Sequence, residues 1–114
     1  MKLPRFRTGD AQLDAEIAAL IDRVDGTEHP DLIFEIVASA LLMARDRVDR
    51  GDLKIANASL QELRHAFQTF GPYRHMRKVG IFGSARTHRD DPLYQQTVRF
   101  AEAMAARDWM VITG

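Results

Sequence analysis

The chain of 114 residues contains no cysteine. That excludes disulfides, thiolate nucleophiles and cysteine-ligated metals, and it fits a reducing, cytoplasmic setting. It has no excess charge of either sign: 16 Lys and Arg balance 16 Asp and Glu. Nothing global therefore draws it to nucleic acid or to an anionic membrane. It has no apolar run near the roughly 20 residues that span a bilayer. The best stretch, residues 32–44, is shorter and contains Glu35. The basic N-terminus, Lys2 to Arg7, is followed by no apolar segment and does not read as a signal peptide. Internal repeats and low-complexity segments are absent too. What remains is the composition of an ordinary globular domain, with 46% hydrophobic and 28% charged residues.

The first two thirds carry helical periodicity. Asp10 is positioned as an N-cap for Leu13, Ile17, Leu20, Ile21 and Val24, with Gly26 beyond them. Pro30 suits a first helical turn. From there to Arg50 a wide stripe of Leu32, Ile33, Ile36, Val37, Ala40, Leu41, Ala44 and Val48 predicts a well-buried helix. Gly51 is placed to cap its end, and Asp52 to cap the start of a third helix. In that helix Leu53, Ala56, Leu60, Leu63, Phe67 and Phe70 alternate steps of three and four, a narrow seam for packing on a neighbouring helix. The simplest neighbour is the stretch from Leu32 to Val48; a second chain is the alternative. Gly71-Pro72 ends the helix.

The period then changes. Lys78 to Phe82 reads as a short buried strand leading into the small-residue turn Gly83-Ser84-Ala85-Arg86. Asp91-Pro92 predicts a capped helix whose face carries Leu93, Thr97, Ala101, Met104 and Ala105. Residues 109–113 read as a second buried strand, with Trp109 as an anchor between helix and sheet. The expected class is α/β: a helical N-terminal extension over residues 1–75, then the first β-α-β unit of a Rossmann-like parallel sheet over 76–114. Two parallel strands are not a whole sheet, so the sequence reads as cut short.

Ligands of open parallel sheets bind at the carboxyl ends of the strands. Gly83, Ser84, Ala85 and Arg86 follow one such end, and Thr113 and Gly114 follow the other. Gly83 and Ala85 permit close approach of backbone to a ligand, Ser84 offers a hydroxyl, and Arg86 offers a forked cation for phosphate or carboxylate. Between Glu62 and Asp90 the only charges are basic: Arg64, Arg74, Arg77, Lys78, Arg86 and Arg89. That run suits a phosphorylated ligand, or else forms a solvated face. There is no G-x-G-x-x-G and no P-loop. His65, His75 and His88 match no metal-binding spacing, so no metal and no cofactor is expected.

The segment from Lys78 to Arg86, with Asp91-Pro92-Leu93-Tyr94 and residues 109–114, resembles the LOG (Lonely guy) family, whose members are often labelled lysine decarboxylase-like. The resemblance covers residues 77–114 most firmly. It implies a doubly wound fold, a cytoplasmic homodimer, and binding of a nucleoside 5′-monophosphate such as AMP. It also implies hydrolysis of the N-glycosidic bond to free base and ribose 5-phosphate. Gly83, Ser84, Ala85, Arg86, Thr113 and Gly114 would line the nucleotide pocket. The family's Pro-Gly-Gly-x-Gly-Thr-x-x-Glu motif and its catalytic arginine have no counterpart here, so no catalytic residue is assigned and these residues alone are not expected to hydrolyse. A nucleotide-sensing module without catalysis and a self-associating helical fragment are the competing expectations.

Overall fold

The computed structural model describes residues 1–114. Their order is α1 (Ala11–Asp22), α2 (Pro30–Arg45), α3 (Arg50–Phe70), a single 3-10 turn (Gly71–Tyr73), β1 (Lys78–Ile81), α4 (Pro92–Ala105) and β2 (Met110–Thr113). The mixed helix and parallel-strand content is that of an α/β chain. It divides into two units, Met1–Glu62 and Leu63–Gly114. No helix is long and apolar enough to cross a membrane.

In the first unit α1 starts where Asp10 caps it. The Asp10 carboxylate accepts from the backbone N–H of Gln12 and of Leu13, both at 3.0 Å. A second carboxylate, Asp14, is buried inside the first turn. Its Oδ1 accepts from the Thr8 N–H at 3.0 Å and the Thr8 hydroxyl at 2.7 Å. The Thr8 carbonyl in turn accepts from Arg45 Nη1 at 2.8 Å, which ties the N-terminal segment to the end of α2. Every buried polar side chain has a partner.

The core of this unit is Ile17 and Ile21 of α1 against Phe34 and Ala38 of α2, with Leu3, Leu13, Ala18 and Val37 packed around them. This corrects the expected face of α2. Phe34, absent from the expected stripe, is wholly buried, while Leu32, Ile33, Ile36 and Leu41 are exposed. A helix that is apolar on most of its circumference meets only one neighbour here, and α1 has room for one stripe. The largest side chain on the shared face, the Phe34 ring, fills it.

The α2 to α3 junction also differs from expectation. The helix stops at Arg45 rather than Arg50, and Gly51 lies inside α3. Arg47 takes the left-handed conformation, φ 54°. Its N–H donates to Ala44 O at 3.2 Å and the next N–H, of Val48, to Met43 O at 3.1 Å. That is the Schellman pattern, with arginine where glycine is usual. The cap of α3 is Asp49 instead of Asp52: its carboxylate accepts from the Gly51 N–H at 2.7 Å. Two aspartates three residues apart both satisfy the capping rule, and the one adjoining the left-handed residue prevails.

In the second unit β1 and β2 pair in parallel, Lys78 with Met110 through Ile81 with Thr113. Asp91 caps α4 as the sequence predicts, accepting from the Leu93 N–H at 2.8 Å. Val98, Ala101 and Met104 are half-buried, whereas Leu93 stands 68% exposed and Thr97 is exposed too, so the inner face of α4 is rotated from the expected one. The helix ends in a second Schellman pattern, with Asp108 left-handed at φ 59° and the Trp109 N–H on Met104 O.

Candidate functional site

The parallel register of β1 and β2 decides which residues leave the sheet together. Ile81 is level with Thr113, so the segment beginning at Phe82 and the pair Thr113-Gly114 occupy the same carboxyl edge. All six residues singled out in the sequence, Gly83, Ser84, Ala85, Arg86, Thr113 and Gly114, are exposed there. A Cβ added at Gly83 or Gly114 meets no atom within 4 Å, so both glycines face open space.

The turn itself is shaped by Ser84. Its hydroxyl accepts from the Arg86 N–H at 3.2 Å, and its carbonyl accepts from the Thr87 N–H at 3.3 Å. Serine commonly builds such local turns because its short side chain reaches the backbone two residues on. The Ser84 oxygen retains its O–H donor, and the Arg86 guanidinium has no hydrogen bond or ion pair. An anion at this edge would therefore meet one free hydroxyl, one unpaired fork of donors and the free amides of the small-residue turn.

The start of α4, in contrast, is not free to hold an anion. The Asp91 carboxylate already covers the Leu93 N–H, and Pro92 has none to offer. A negative side chain at a helix N-terminus takes the place that a phosphate would take elsewhere.

The basic run separates into two groups. Lys78 Nζ donates to the carbonyls of Tyr73 at 2.6 Å and Met76 at 2.8 Å, and so closes the turn before β1. The Arg77 guanidinium lies over the Trp109 ring, 5.6 Å from its centroid, a cation–π contact that joins the entries of the two strands. These two cations have structural tasks. Arg64, Arg74, Arg86 and Arg89 make no side-chain hydrogen bond or ion pair. The three histidines of the region join no group able to hold a metal ion.

Beside the turn runs an open groove of about 340 Å³ lined by Gly80, Ile81, Phe82, Gln96, Thr97 and Phe100. The Phe82 side chain is 96% exposed and forms one wall, with Phe100 of α4 also on the lining. The sequence reading placed Phe82 inside the strand and overlooked Gln96 and Phe100. No local signal marks the groove: Phe82 reads as the end of a strand, and Phe100 lies outside the expected face of α4. No family model, no curated protein and no solved structure matches this chain.

Proposed function

We propose that residues 77–114 form the nucleotide-binding start of a LOG-type nucleoside 5′-monophosphate phosphoribohydrolase. In this reading AMP or a related nucleotide lies at the carboxyl edge of β1 and β2. Arg86 and the Ser84 hydroxyl meet the phosphate. Gly83, Ala85, Thr113 and Gly114 let it approach the backbone, and the Phe82–Phe100 groove accepts an apolar or aromatic portion of the ligand. The reaction of such an enzyme adds water across the N-glycosidic bond of AMP and yields adenine and ribose 5-phosphate. The residues here are assigned binding and orientation, not bond cleavage.

The observation that supports this reading is the parallel pairing of Ile81 with Thr113, which brings two small-residue segments and one unpaired arginine to one edge. The sequence resemblance over the same residues supplies the ligand class. The test is titration of AMP followed by amide chemical shifts, with adenosine and inorganic phosphate in parallel. Expected are AMP-dependent shifts at 82–87 and 112–114 at millimolar concentration or below, and none with adenosine. A charge-assisted bidentate contact contributes about 1.5–3 kcal/mol, so Arg86→Ala weakens AMP on the order of tenfold or more. Shifts that are absent, or indifferent to Arg86, refute the proposal.

A further inference from the structure

We infer that α3 is the self-association element of this protein, pairing antiparallel with α3 of a second copy. The helix has 21 residues, no buried side chain, and a seam of apolar residues on one face. Leu53, Leu60, Leu63, Phe67 and Phe70 are 38–69% exposed, and Ala56 is half-buried. The packing on α2 expected from the sequence does not form: α2 makes its helix contact with α1.

Three features identify a second copy as what covers this seam. The first is spacing. The seam residues fall at steps of 3, 4, 3, 4 and 3, the a and d positions of a heptad repeat sustained through the helix. A helix lying on a globular core shows a wider stripe with a period of 3.6.

The second is self-complementarity. A two-fold axis across the helix between Gln61 and Glu62 sets Leu53 against the partner's Phe70, Ala56 against the partner's Phe67, and Leu60 against the partner's Leu63. The same three pairs then recur on the other side of the axis, as an isologous interface requires. Each aromatic ring meets a smaller side chain, so the layers have similar widths. A parallel pair would instead set Ala56 on itself and both phenylalanines on themselves, leaving a gap beside two overfilled layers. The flanking positions raise no like-charge pair in the antiparallel register, where Arg64 comes level with Ser59 of the partner, and the helix dipoles run in opposite directions.

The third is area. Partly exposed Leu and Phe side chains leave on the order of 100 Å² each in water, so the seam alone contributes roughly 900 Å² over two copies. With its flanking residues that reaches the lower end of specific interfaces, about 1,200 Å².

The test combines mass and distance. Sedimentation of the full chain at high micromolar concentration is expected to give twice 12.9 kDa. Leu60→Asp with Phe67→Asp is expected to give the monomer mass with helical circular dichroism retained, because both positions are exposed. The chain has no cysteine, so Lys54→Cys and Gln61→Cys each accept one spin label on the same helix face. In the antiparallel pair the two Lys54 labels stand roughly 21 Å further apart along the axis than the two Gln61 labels, at 1.5 Å per residue. A monomer, or a dimer indifferent to the aspartates, overturns the inference; equal label distances overturn the antiparallel register. If the aspartate variant loses its helix, the label distances, measured on a chain with its seam intact, decide alone.

Discussion

Arg47→Gly is expected to stabilise the protein, although it deletes a large side chain and adds a flexible residue. Arg47 has φ 54° at the end of α2, a conformation that costs an L-residue about 1–2 kcal/mol. Its N–H and that of Val48 must stay where they are to satisfy the carbonyls of Ala44 and Met43. The strain therefore persists as long as the helix end does. Glycine removes the Cβ contact but brings about 0.5–1 kcal/mol of extra freedom to the unfolded chain. The difference is a net gain of about 0.5–1 kcal/mol, or roughly 2–8 °C in the melting temperature of a unit of this size. The Arg47 side chain makes no hydrogen bond, so nothing offsets the gain. Urea and thermal unfolding followed by far-UV circular dichroism measure it. Arg47→Ala serves as the control: it removes the same side chain but keeps the Cβ, and should not gain. A glycine variant that melts at or below the parent, or an alanine variant that gains as much, refutes the account.

Asp14→Ala should cost about 2–4 kcal/mol, since it strands the N–H and hydroxyl of buried Thr8; Thr8→Val, which leaves the backbone bond in place, should cost less than half of that in the same melts. Phe34→Ala removes the one wholly buried large side chain and should cost about 3–5 kcal/mol, enough to unfold Met1–Glu62; a native-like spectrum for that unit would contradict the core as described. Trp109→Leu removes the ring under Arg77 and should lower stability by about 1 kcal/mol or more, read by hydrogen exchange of the β1–β2 amides; unchanged protection would show the contact to be idle.

Much of the chain's local structure was legible because it is dictated by neighbouring residues. Asp10, Pro30, Asp91 and Gly71-Pro72 mark helix ends by chemistry that acts within four residues, and each holds in the structure. The α2 to α3 junction was misread because Gly51 and Asp52 satisfy the same rules as Arg47 and Asp49. Only the hydrogen bonds of the folded turn separate them. The inner face of α2 was misread for a different reason. Periodicity ranks apolar positions by count, whereas packing selected the stripe that matches Ile17 and Ile21. At the candidate site the turn residues were visible as small and polar. The groove beside them, with Phe82 as a wall, depends on a three-dimensional neighbour, α4, that no local pattern names.

The bonds of Thr8 have a consequence for the order in which the chain folds. Its link to Asp14 spans six residues and is available almost as soon as α1 leaves the ribosome. Its link to Arg45 spans 37, and Ile17 and Ile21 find Phe34 and Ala38 only after α2 has been made. At a synthesis rate of about 5–20 residues per second, α1 waits a few seconds with a locked first turn and a bare apolar face. The arrival of Arg45 both completes the helix hairpin and secures the N-terminal segment to the end of α2, so the two are locked together in one step.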